Sequence, residues 1–224
     1  MVMSLKLKRL SVLLLILLTL GVVTYLYIQH LSQDEARFFM SEAGPYEQLT
    51  IIFWIVLAVL VLWRWWPVSI NSIALSLVAI LAAAREAGMS KYFFGVSVLK
   101  PEFYLLSDTP PLTKAFVASI VFLLLASLLK ALYLFFKYLK AGFWQHSGGQ
   151  FLLVGILLLA ISDRLDRFSS MIHGTLTPEF ASILLIVIVT IEETYEMASP
   201  LVLIAANYYA WKERTIFLEV QNGK

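Results

Sequence analysis

From Leu10 to Gln29 the chain runs twenty residues without a charge, directly after Lys6, Lys8 and Arg9. An α-helix crosses the roughly 30 Å hydrocarbon core of a bilayer in about 20 residues, so this run has the length of a membrane span. No other feature constrains the fold as much, because only helices and closed barrels satisfy every backbone hydrogen bond in lipid. The run is longer than the apolar part of a secretory signal, and no small-x-small cleavage site follows it before Asp34. It reads as an uncleaved first span.

Similar runs recur. Spans are expected at residues 10–29, 48–63, 65–84, 115–136, 147–162 and 180–211. Arg64 and Pro67 mark the tight reversal between the second and third. Lys130 alone interrupts the fourth, and Glu192, Glu193 and Glu196 break the sixth. The composition agrees: 60% of residues are hydrophobic and 14% charged, against roughly 45–50% and about 25% in soluble domains. The expected fold is all-α, a polytopic integral membrane helical bundle of six transmembrane helices forming a single domain. With no cysteine, disulfide scaffolds, iron–sulfur clusters, Cys-based zinc sites and thiol catalysis are excluded.

Positively charged residues gather on the cytoplasmic side of membrane proteins. With both termini cytoplasmic, the inner regions hold Lys6, Lys8, Arg9, Arg64, Lys137, Lys140, Lys212, Arg214 and Lys224, and Lys130 snorkels inward. Only Glu213 and Glu219 among the acids fall inside. Trp63, Trp65 and Trp66 suit an aromatic belt at the inner interface. The expected location is a bacterial or archaeal plasma membrane, the lipid bilayer being the first partner. The long outer loop, residues 85–114, mixes Tyr92, Phe93, Phe94, Phe103 and Tyr104 with charges, as suits a segment lying on the membrane surface or a lid folded back over the bundle.

Ionisable residues inside a bilayer are costly and are functional suspects by default. In the sixth span Glu192 and Glu196 are four residues apart and share a helix face, with Glu193 and Glu196 also neighbours. Counted from Phe180, Glu192 is about 18 Å along the helix, near the midplane. Three carboxylates so close either keep protons or are neutralised by cations. Pro200 cannot donate to the carbonyl of Glu196 and leaves it free beside the acids. Glu86 and Asp163 end otherwise uncharged spans and complete the expected site, with Glu47, Arg85 and Asp166 around its mouth. The competing reading is that the acids pair with Arg or Lys from another span. Carboxylate oxygens suit protons or hard ions such as Mg²⁺, Ca²⁺ or Mn²⁺. His30, His146 and His173 sit at span ends or in loops, so haem is not expected.

Nucleophilic chemistry is thinly signalled. Ser97-Val-Leu-Lys100 fits a Ser-x-x-Lys pattern without the motifs that accompany it in acyltransferases. Glu192-Glu193 resembles the glutamate pair of intramembrane CAAX-type proteases, but Glu196 stands where the arginine would be and no histidine-bearing helices accompany it. The dispersed basic residues give no support for nucleic-acid binding. Three functions follow. The first is a proton- or cation-binding membrane protein engaged in transport or ion coupling. The second is a membrane-embedded enzyme acting on a lipid or lipid-linked substrate, its carboxylates serving as metal ligands or general acid and base. The third is a non-catalytic subunit docking a membrane partner or a second copy of itself.

Overall fold

The computed structural model describes residues 5–39, 41, 44–172 and 178–213, and every regular element among them is a helix. In chain order these are α1 (Leu5–Ile28), α2 (Gln33–Phe39), α3 (Pro45–Arg64), α4 (Ile70–Glu86), α5 (Met89–Phe94), α6 (Pro101–Leu105), α7 (Pro111–Lys140), α8 (Ser147–Ile172) and α9 (Pro178–Lys212), with a 3-10 turn at Phe143–Gln145 before α8. Glu42, His173, Arg214, Glu219 and Lys224 lie outside the described residues.

Four of these helices, α1, α3, α7 and α8, are long and apolar enough to cross a membrane. α4 has 17 residues, and α9 carries the three glutamates among its apolar residues. The boundaries differ from expectation where local chemistry intervenes. The third helix starts at Ile70 rather than Trp65, because Pro67 disfavours helical geometry before it and Ser69 forms a capping box with Ser72. Pro111 opens α7 four residues before the expected span, a position where proline's missing N–H costs nothing. α8 continues past Ser162 to Ile172, since nothing in the charged stretch breaks a helix.

α9 is the hub. It packs most extensively on α8, then on α3 and α1; α3 packs on α4, and α4 on α7. α7 is therefore an edge helix, with 11% of its span buried inside the protein. Small residues bring the backbones together, as membrane interfaces require when there is no water to exclude. A Cβ on Gly148 would lie 2.8 Å from the backbone nitrogen of Ala210, and one on Gly155 would lie 2.7 Å from Leu203 Cδ2. Ser199 Oγ donates to the carbonyl of Gly155 at 3.0 Å, and Ser76 Oγ to that of Ala58 at 3.1 Å. Each such interhelical bond contributes about 0.6 kcal/mol.

These contacts fix direction and register. α8 and α9 are antiparallel, Gly148 opposite Ala210 and Gly155 opposite Leu203. α3 runs parallel to α9: the Arg64 guanidinium at its end sits over the rings of Tyr208 and Trp211, at 5.1 and 5.9 Å, and Trp65 Nε1 donates to Asn207 Oδ1 at 3.0 Å. α1 runs antiparallel to α9, with Leu13 against the cluster of Ala198, Val202 and Ala206 and Gly21 beside Thr194. A hydrogen bond between the Thr24 and Tyr46 hydroxyls joins the end of α1 to the start of α3. One end of the bundle thus gathers Arg64, Lys137, Lys140 and Lys212, and the other the ends of α1, α4 and α8 with the start of α3.

Candidate functional site: an acidic end of the bundle

The antiparallel register that sets Gly155 opposite Leu203 carries Ser162 opposite Glu196 and Asp166 opposite Glu192. Asp166 is accordingly within electrostatic range of both glutamates. On the other side of α9, the α3–α4 register that joins Ser76 to Ala58 brings Glu47, in the first turn of α3, toward Glu86, the last residue of α4. Both lie within electrostatic range of Glu193, and Glu86 also of Glu196. Carboxyl groups from α3, α4 and α8, those of Glu47, Glu86 and Asp166, therefore lie within electrostatic range of one or more of Glu192, Glu193 and Glu196 on α9. Arg85, exposed at the end of α4, is the cation within range of Glu86 and Glu196.

Among the described residues, none of Glu86, Glu192, Glu193 and Glu196 closes an ion pair or accepts a hydrogen bond. The pairing with Arg or Lys from another span, the competing reading of the sequence, is not found there. The three α9 glutamates are half-buried, while Thr194 between them and Ser199 beyond are fully buried. Thr194 Oγ1 donates to the carbonyl of Thr190 at 2.7 Å, so it is satisfied within its own helix. α9 passes through Pro200 as one continuous helix.

Three sequence expectations change. The first concerns level. Glu192 and Glu196 share a level with the first turn of α3 and the last turn of α4, so they sit at the end of the bundle and not at its middle. From Lys212, Glu192 is about 30 Å along the helix, a full hydrocarbon thickness. The second concerns Asp163. It pairs instead with Arg167, at 3.0 Å on the same helix, and both side chains are exposed, at 41% and 63%. Asp166 holds the position toward α9 that Asp163 was expected to hold. The spacing of Gly148, Gly155 and Ser162, seven apart on the packed seam of α8, is the sequence signal that favours Asp166, one turn beyond Ser162. The third concerns metal ligation. Among the described residues no three of His, Asp and Glu converge to hold a metal ion. Charges influence one another over many ångströms, whereas Mg²⁺ or Ca²⁺ needs oxygens at about 2.0–2.6 Å. Among the described residues the acids act on one another at a distance but form no ligand set for Mg²⁺, Ca²⁺ or Mn²⁺.

Toward the basic end the bundle closes. Phe151, Leu158, Ala198, Val202 and Ala206 form one apolar cluster, and Trp54, Leu57, Ala58, Val61, Ala79 and Ala83 another, with Leu159, Leu203 and Ile204 packed against the second. In this half Ser76 and Ser199 each hydrogen-bond to the carbonyl of a neighbouring helix, and Asn207 accepts from Trp65 at the end of α3. Comparison with protein-family models, curated proteins and solved structures found no match for this chain.

Proposed function

We propose that the chain is a six-span plasma-membrane protein with both termini cytoplasmic, and that its outer, acidic end takes up protons from the aqueous phase, or holds hard cations loosely without a fixed ligand set, as the binding site of an ion-coupled component. The observation that carries this reading is that carboxyl groups from α3, α4 and α8 lie within electrostatic range of Glu193 or Glu196 on α9, with no ion pair closed by the glutamates of α9 or by Glu86 among the described residues. Charge of one sign gathered in this way is compensated from solution, by protons or by loosely held cations. The basic residues at the opposite end support the orientation. The alternating directions of α1, α3, α8 and α9, with α4 antiparallel to α3, support the span count. The apolar core between the two ends favours a one-sided binding site over a conducting pore.

The experiment is calorimetric titration of the purified protein with Ca²⁺, Mg²⁺ and Mn²⁺ at several pH values, with proton release measured in parallel. The wild type should bind cations and release protons. Glu193→Gln and Glu196→Gln should each weaken binding severalfold in a folded protein. Unchanged binding and proton release in both variants would overturn the proposal.

A further inference from the structure

The segment between α4 and α7 has its own scaffold. Phe103 in α6 is fully buried, 0% exposed, and meets Phe94 of α5 edge-on with ring centroids 5.0 Å apart. Gly88 and Gly95 bracket α5 in the left-handed region, with φ of 55° and 70°, so the chain turns sharply at both its ends. Lys114, at the start of α7, donates from Nζ to the carbonyls of Tyr104 at 3.0 Å and Ser107 at 2.9 Å. α5 packs on the end of α4, its neighbour along the chain.

This scaffold presents large apolar side chains outward. Tyr92 is 83% exposed, Phe93 66%, Leu99 64%, Leu105 78% and Leu106 77%. Along the chain they lead into Leu112 and Phe116, exposed at the start of α7, a helix long and apolar enough to cross a membrane. Large apolar side chains exposed together on one short segment mark an interaction site. The segment leads directly into α7, a span-length helix with only 11% of its span buried inside the protein, which points to lipid as the occupant. Lys100, exposed between α5 and α6, adds the cationic neighbour typical of interfacial elements.

We propose that residues 89–106 form a wedge seated in the leaflet at the acidic end of the bundle. Tyr92, Phe93, Leu99, Leu105 and Leu106 enter the boundary between headgroups and acyl chains, and Lys100 reaches the lipid phosphates. The wedge depends on the bundle being in a bilayer and not on the carboxylate site.

The chain has no cysteine, so an introduced one takes a fluorophore uniquely. Phe93→Cys, Leu99→Cys and Leu105→Cys, each labelled with the environment-sensitive dye NBD, are compared with Asp108→Cys in phosphatidylcholine vesicles at high lipid-to-protein ratio. The first three labels should be quenched severalfold more by doxyl-bearing lipids than the label at 108, and severalfold less by aqueous iodide. Three positions keep the test decisive if one variant folds poorly. Iodide access at 93, 99 and 105 equal to that at 108 would overturn the wedge. So would shielding that disappears on dilution with further lipid, which would mark a contact between copies of the chain.

Discussion

Placing an alanine at Gly148 tests the α8–α9 register on which the site geometry depends. A Cβ there would lie 2.8 Å from the backbone nitrogen of Ala210, 3.0 Å from its Cα and 3.1 Å from its Cβ. None of these atoms can rotate away, so the two helices must separate along their closest line of contact. Overpacking of a close interface costs about 1–3 kcal/mol. Replacing glycine by alanine in a helix returns up to about 1 kcal/mol, and less in the first turn, where Gly148 lies. The expected net loss is about 2 kcal/mol. Gly155→Ala is the built-in contrast: its nearest contact, at 2.7 Å, is the end of the Leu203 side chain, which can change rotamer. That variant should lose about 1 kcal/mol or less, and Leu203→Ala should couple favourably to it in a double-mutant cycle, by about 0.5 kcal/mol or more. Reversible unfolding in mixed micelles, titrated with sodium dodecyl sulfate, measures the wild type and the four variants. A neutral or stabilising Gly148→Ala would refute the close approach at Ala210, and with it the juxtaposition of Asp166 with Glu192.

Topology is checked by single cysteines: labels at Lys137 and Lys212 should be reached from the cytoplasmic side, and those at Asp108 and His173 from the opposite side, whereas outside access at Lys212 would break the six-span count. Asp163→Asn removes an exposed intrahelical pair and should shift stability by no more than about 0.5 kcal/mol without changing cation binding, while Asp166→Asn should weaken binding in the same titration. In the capping box before α2, Ser32 Oγ and N–H donate to Glu35 Oε2 at 2.7 and 2.9 Å, which holds the Glu35 carboxyl below the usual carboxylate range. A depressed carboxylate contributes stability above its unfolded pKa and loses it as pH falls through the lower folded value. A carbon-detected NMR titration should therefore show Glu35 titrating below an ordinary glutamate, and Ser32→Ala should return it to the usual range.

The sequence located helices where charge is absent over a span-length run, so α1, α3 and α7 were legible within a few residues of their ends. It misplaced the start of α4 because Trp65 and Trp66 are apolar yet belong to the reversal, while the cap signal lies at Ser69. Glu86, Glu192, Glu193 and Glu196 stand out in the sequence because each interrupts or ends an apolar run, and the electrostatic reach of Glu47 and Asp166 to α9 follows only from the packing. Their level in the bundle was not legible, because the hydropathy of α9 carries no information on where α3 begins and α4 ends. The choice of Asp166 over Asp163 likewise depends on which face of α8 packs, a property of three small residues and not of either acid. Distances between helices, which decide whether grouped charge becomes a ligand set, have no signature in a single chain.

The central proposal is that the α9 glutamates, which close no ion pair among the described residues, are compensated chiefly from solution, by protons or loosely held cations, with Arg85 within range of Glu196. Melting of the double variant Glu193→Gln/Glu196→Gln against wild type, with and without added Ca²⁺, tests it most directly. If the account holds, removing two neighbouring like charges leaves the protein as stable or about 0.5–1 kcal/mol more stable without Ca²⁺. Ca²⁺ then raises the melting temperature of the wild type by mass action on the folded state and leaves the variant unmoved. A loss of about 3–5 kcal/mol in the variant, the cost of stranding a buried cation, or an equal response of both proteins to Ca²⁺ would contradict it.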